Sequence, residues 1–183
     1  MTVNLESLNG VPMITSDAFE LGVITDIRYD PFDWTVKGLK VRSNRSSKLS
    51  AGIGKSVFLI LPDDFVLNDV MIIDRPIDKM KDSVVPDNAN IPSIMSLLNA
   101  KVITRDNALV GTVTTAMINT DSWKVSSLVV RLDKTAIEAM KMKKGLFSKI
   151  SVEISTDLIL SSADMVHLDE HMEGVREKMT VLE

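Results

Sequence analysis

The sequence predicts an all-β fold of two small barrels in tandem, on three observations. The chain matches itself without a gap at an offset of 89 residues. Each matching half is built of short runs rich in Val, Ile and Thr, with turn residues every eight to twelve positions. Between the halves lies a polar segment punctuated by Pro76, Pro86 and Pro92. In the self-match, ITSDAFELGVITDIRYDPFDWTVKGLKV from Ile14 falls on ITRDNALVGTVTTAMINTDSWKVSSLVV from Ile103. It keeps Ile14/Ile103, Thr15/Thr104, Asp17/Asp106, Gly22/Gly111, Thr25/Thr114, Trp34/Trp123, Val36/Val125, Leu39/Leu128 and Val41/Val130.

The elements follow in order within each repeat. Gly22 and Gly111 come after a polar turn and open strands, which suits a backbone that side chains resist. YDPFDW and INTDSW supply the next turns, with Asp, Pro and Asn as punctuation. After the shared Val-x-x-Leu-x-Val strand the repeats diverge. SNRSSKLSAGIG reads as a flexible loop, whereas KTAIEAMKMKK, residues 134–144, is rich in helix formers and predicts a short helix in the second repeat only. KSVFLILPDDFVL then aligns with SKISVEISTDLIL, and the repeats end at DVMIID and DMVHLD. In the tail, Met172, Val175, Met179 and Leu182 follow spacings of three, four and three, which predicts one apolar face of a C-terminal helix. These patterns give a first barrel over residues 1–84, a linker over 85–95, and a second barrel plus tail over 96–183.

Composition narrows the function classes. With 45% apolar residues the chain builds a core, and a net charge of -4 with mixed signs gives no field for general nucleic-acid binding. Zero cysteines remove disulfides, thiolate nucleophiles and cysteine metal sites, and they fit an intracellular setting. MTVNLESLNG has neither a basic start nor an apolar stretch, and the longest aliphatic or aromatic run is VFLIL, residues 57–61. The expectation is a cytoplasmic protein with no segment inserted in the membrane.

Three stretches imitate chemical motifs. AGIGKS, residues 51–56, ends like a phosphate-binding P-loop, but the glycine required five positions earlier is Leu49, and the stretch leads into VFLIL, a strand pattern, instead of a helix. HLDEH, residues 167–171, matches an inverted zinc-protease motif, yet the repeat places His167 in a strand, where a spacing of four does not converge two histidines. Asp63 and Asp64 follow Pro62 as turn residues do, and neighbours on a strand point to opposite faces. The expectation is no catalytic residue, no metal ligand and no cofactor.

Recognition remains as the surface's work. Arg42, Arg45, Lys48 and Lys55 form a basic cluster in one repeat, and Lys141, Lys143, Lys144 and Lys149 in the other. Solvated loops are the default reading, and contact with an acidic partner is the functional one. Trp34 and Trp123 read as core plugs, with partner anchoring as the alternative. Met172, Val175, Met179 and Leu182 dock on their own barrel or make contacts in a homo- or heterodimer.

LNGVPMITSDAFELGVITDIRYDPFDWTVKGLKV followed by VFLILPDDFVLNDVMII resembles a PRC-barrel domain, as does the second repeat through GLFSKISVEISTDLILSSADMVHL. Two such barrels in one short chain are most similar to the archaeal cell-division PRC-barrel proteins. That resemblance implies a non-enzymatic adaptor in FtsZ-based division, binding the SepF membrane anchor or a PRC-barrel paralogue and reaching the division site through it. Bivalency, with two similar barrels presenting two similar surfaces, is the mechanism expected. The alternative is an RNA or ribosome-assembly factor like RimM, which resembles this chain in one barrel only.

Overall fold

The computed structural model describes residues 1–53, 58–60, 65–87, 90–142 and 149–182. Strands hold 45% of the described residues and helices 23%, so the fold is all-β with helices as connectors. Among the described residues two sheets form, and they share one strand order. In the first, β6 (Phe65–Leu67), β7 (Met71–Ile73), β2 (Pro12–Thr15), β3 (Glu20–Tyr29), β4 (Val36–Arg42), β5 (Phe58–Ile60) and β8 (Val84–Pro86) lie side by side. In the second the order is β13 (Ile159–Ser162), β14 (Met165–Leu168), β9 (Lys101–Ile103), β10 (Leu109–Asn119), β11 (Lys124–Leu132), β12 (Ser151–Ser155) and β15 (Thr180–Leu182).

The repeat accounts for this order pair by pair. Gly22 and Gly111 are fixed by close approach: a Cβ there would lie 2.4 Å from the Arg42 carbonyl oxygen and 2.2 Å from that of Arg131. Thr15 donates its hydroxyl to Asp17 at 2.6 Å, and Thr104 does the same to Asp106 at 2.6 Å, closing the same turn twice. In each case the threonine hydroxyl is the main influence holding the exposed carboxylate below its ordinary pKa. Register corrects the alignment at one strand. Ile60 lies opposite Leu39 and Ile154 opposite Leu128, so Ile60 and Ile154 are equivalent, one residue away from the pairing of KSVFLIL with SKISVEI.

The boundaries 1–84, 85–95 and 96–183 fall inside two elements, β8 and the 3-10 helix Ile94–Leu97. β8 pairs with β5 in the first sheet, and β15 pairs with β12 in the same place in the second. Each follows a helical turn that places an apolar residue fully in the core, Met80 in the 3-10 helix Ile77–Ser83 and Val175 in α4 (Met172–Lys178), both 0% exposed. The interval between the halves and the C-terminal tail are therefore one repeated element, at an offset that grows from 89 to 95 residues once the longer loop of the second repeat has intervened. Pro86 is tolerated because β8 is an edge strand, where an N–H can be missing.

The repeats are joined by reciprocal exchange. β1 (Thr2–Asn4) leaves its own sheet and pairs with β10 of the second, Asn4 opposite Met117. The equivalent residue, Ser93, bridges to Arg28 of β3 in the first sheet, and the Tyr29 N–H donates to the Pro92 carbonyl at 3.2 Å. The short helices that follow, α1 (Leu5–Leu8) and the 3-10 helix Ile94–Leu97, pack against β10 and β3 respectively. Between the exchanged arms the two tryptophan turns meet. Thr35 and Lys124 form an antiparallel bridge, with Val36 donating to the Trp123 carbonyl at 2.8 Å and Val125 to that of Trp34 at 2.9 Å. One apolar core runs through both repeats, so the chain is a dimer-like unit made from a single polypeptide.

Candidate protein-binding surface

The loop expected at SNRSSKLSAGIG contains a helix, α2 (Arg45–Ser50). Asn44 caps it, its side chain accepting from the Ser47 N–H at 2.8 Å, and Gly52 ends it with φ +68°. Asn, Ser and Gly are typical of loops, yet here they are the start and stop of a helix. The second repeat has its counterpart, α3 (Lys134–Ala139), capped by Asp133 and shorter than residues 134–144.

Equivalent helices carry opposite patterns. α3 turns Ala136 and Ile137 into the core, at 0% and 4% exposure, and leaves Glu138 outside. At those three positions α2 has Ser47, Lys48 and Leu49, and no residue of α2 is buried. It is held by the Ser47 hydroxyl, which donates to the Glu20 carbonyl of β3 at 2.8 Å, and by Ala51 just beyond its end, 1% exposed. The aliphatic side chain that a partnerless helix would tuck inward is Leu49, and it is 64% exposed. Phe19, next to Glu20, is 52% exposed where the second repeat has Ala108.

Three candidates from the sequence fall here. Arg42 ends β4, Arg45 opens α2 and Lys48 sits in its last turn; both arginines are exposed and Lys48 is half-buried. Phe19 and Leu49, both exposed, sit in the chain on either side of the Ser47–Glu20 bond, Phe19 beside Glu20 and Leu49 in α2, with Arg42, Arg45 and Lys48 on the same segments. Neither Phe19 nor Leu49 stands out by composition. The signal that could have found them is the repeat itself, because an exposed aromatic against Ala108 and an exposed Leu against Glu138 mark a face the second repeat does not have. The two repeats thus differ on this face.

The other candidates lie elsewhere. Trp34 is 5% exposed and stacks on Tyr29 at 5.3 Å between ring centroids, so it has little surface to offer a partner. Trp123 is half-buried at the junction, and both tryptophans take positive φ, +63° and +47°, an uncommon backbone for so bulky a residue. Burial pushes the Tyr29 phenol above its ordinary pKa, against the opposing effect of Ser162 of the second repeat, whose hydroxyl lies 3.5 Å away. In the tail, Val175 is buried and Met172 and Met179 pack against the core. Leu182 does not share their helical face: α4 stops at Lys178, and Leu182 stands on β15, 37% exposed.

His167 lies in β14 opposite Ile103, while His171 precedes α4 and pairs with Asp106 at 3.3 Å. Among the described residues no three of His, Cys, Asp and Glu come together as a metal would require. Ala51 and Gly52 of the P-loop-like stretch end a helix. Lys55 and Ser56, the pair Asp63 and Asp64, and Lys143 and Lys144 lie outside the described residues; Lys141 has φ +52° at the end of α3, and Lys149 is exposed. No described helix is long and apolar enough to cross a membrane.

Neither a scan against protein-family models nor a search of curated proteins found a match for the chain.

Proposed function

We propose that the chain is a non-enzymatic adaptor of FtsZ-based division in archaea, and that the α2 face of its first repeat docks a protein partner, the SepF membrane anchor or a PRC-barrel paralogue. The observation that carries this reading is the inverted pattern of α2 against α3. A helix that turns Leu49 outward and sets Lys48 where its twin buries Ile137 gives up core packing, and a partner that covers Leu49 and Phe19 restores it. The surrounding Arg42 and Arg45 favour an acidic rim on that partner and speed its encounter. The second repeat acts as the buttress, since the exchanged arms and shared core hold the first repeat rigid. The name of the partner comes from the resemblance, and with it the division site as the place of action.

The test is a titration of the full chain against SepF and against a PRC-barrel paralogue over a salt series, with Leu49→Glu, which copies the second repeat, and Arg45→Glu. Leu49→Glu is expected to weaken binding about tenfold or more, the size of an interface anchor. Arg45→Glu slows association and leaves a weaker salt dependence. Leu49→Glu binding as the wild type does would refute the reading. Steeply salt-dependent binding to ribosomal RNA, with no affinity for either protein, would establish the RNA-factor alternative.

A further inference from the structure

The most exposed aromatic residue among those described is Phe32, 95% exposed at the tip of the hairpin between β3 and β4. The turn that carries it is well ordered by its own bonds. The Phe32 N–H donates to the Asp30 carboxylate at 2.9 Å, the Trp34 N–H to the Asp30 carbonyl at 2.9 Å, and the Thr35 N–H and hydroxyl to the Asp33 carboxylate at 2.9 and 2.6 Å. Trp34 anchors the turn from behind by its burial. A phenyl ring on such a turn loses little conformational freedom when it is covered. The equivalent tip of the second repeat carries Asp121, which pairs with the Met1 amino group.

We propose that the Phe32 tip of one molecule docks on the α2 face of a second molecule of this chain, in a head-to-tail contact. Charge supports the match. Phe32 stands between Asp30, which pairs with Lys37 at 3.5 Å, and Asp33, and the receiving residues, Phe19 and Leu49, share their segments with Arg42 and Arg45, neither of which has an ion-pair partner among the described residues. The Thr35 hydroxyl that donates to Asp33 is the main influence holding its carboxylate below the ordinary pKa. Geometry makes the contact intermolecular. α2 rests on the start of β3 and Phe32 follows its end, so a strand of ten residues, about 33 Å at the usual rise, separates the two. A tip cannot fold back over that distance onto its own α2. Contacts between different ends of identical molecules are heterologous and propagate in series.

The repeat supplies an independent argument. Both halves of the contact are confined to the first repeat. Where it has Phe32, Phe19 and Leu49, the second has Asp121, Ala108 and Glu138. This inference rests on the reading of the α2 face as a docking surface, and it implies that self-association competes with the partner for that face.

The experiment is sedimentation velocity of the full chain over a concentration series, with Phe32→Ala, Leu49→Glu and an equal mixture of the two, alongside titration of each against SepF. Wild type is expected to gain mass with concentration, and each variant alone to need about tenfold more protein for the same gain. The mixture is expected to give two-molecule complexes and nothing larger, since one variant keeps the α2 face and the other keeps the tip. Phe32→Ala should retain its affinity for SepF, while Leu49→Glu loses both activities. Thermal melting checks that neither exposed substitution unfolds the chain. A wild type that stays monomeric throughout, an unchanged self-association of Phe32→Ala, or a mixture that gives no complex overturns this inference and leaves the adaptor reading standing. Leu49→Glu that still binds SepF as the wild type does overturns the adaptor reading itself.

Discussion

Replacing Leu8 by Ala tests the reciprocal exchange, because this side chain belongs to the arm of the first repeat that lies against the second. Leu8 is 1% exposed in α1 and lines a small apolar space with Leu5, Ile24, Ile27 and Met95. Loss of a buried Leu costs about 2–5 kcal/mol, the larger values where the walls cannot close on the void. Here the walls belong to α1, to β3 and to the turn that carries Met95, all fixed by backbone bonds to both sheets, so about 3 kcal/mol is expected. For a chain of this size 1 kcal/mol moves the melting temperature by about 2–4 °C, which gives a fall of about 6–12 °C. The assay is thermal and urea unfolding followed by circular dichroism, with tryptophan fluorescence reporting the junction of the repeats through Trp34 and Trp123. Both probes should trace one transition that shifts as a unit, and Leu97→Ala, the equivalent change on the opposite arm, should match it within about 1 kcal/mol. A shift under about 2 °C, or two separate transitions of which only one moves, would refute the shared core.

Gly111→Ala should cost more than about 4 kcal/mol or prevent folding, since its Cβ would meet the Arg131 carbonyl oxygen at 2.2 Å, whereas Gly10→Ala, at φ +83° with nothing within 4 Å, should cost about 1–2 kcal/mol in the same urea titration. Asp87 accepts from Lys40 at 2.9 Å and from Nε and Nη2 of Arg28 at 3.2 Å each; burial raises its pKa, but those donors outweigh it and hold it below the ordinary range. A depressed carboxylate contributes stability that is present above the unfolded-state value, about 3.9, and is lost as pH falls through the folded one. Asp87→Asn should therefore destabilise the chain near neutrality by about 1–3 kcal/mol, with the difference from wild type shrinking below about pH 4 in acid-unfolding curves. Asn44→Ala should remove about 1 kcal/mol of capping energy from α2 alone, seen as faster amide exchange at Ser47 and Lys48 with little change in melting temperature.

The parts legible in the sequence are those where a side chain's type follows from its place. Gly22 and Gly111 had to be glycine because a neighbouring carbonyl occupies the space of a Cβ, and Trp34 and Trp123 recur because the same turn is built twice. From such pairs the duplication and the β class could be anticipated. Exchange of the arms could not, since Leu5 and Leu8 are equally apolar whichever sheet they cover. The kinship of the interval and the tail was hidden because the offset changes and the buried residues differ, Met80 in one and Val175 in the other. Helix α2 was missed for a physical reason: a six-residue helix has little stability of its own, and what holds it is the contact between Ser47 and Glu20, which lies 27 residues away. Its cations are legible by charge, but Phe19 and Leu49 become visible only once exposure is known.

The adaptor reading meets its most direct test in amide hydrogen exchange of the full chain, free and bound to the SepF anchor. α2 buries none of its own residues and meets the sheet through the Ser47 hydroxyl and through Ala51, so its amides should exchange early in the free protein. The account predicts strong slowing on binding at Ser47, Lys48, Ala51 and Gly52, with a smaller effect at Phe19 and Glu20 and none at the equivalent α3 amides of the second repeat. Slowing confined to the second repeat, or a complex in which the α2 amides exchange as fast as in the free chain, would contradict it.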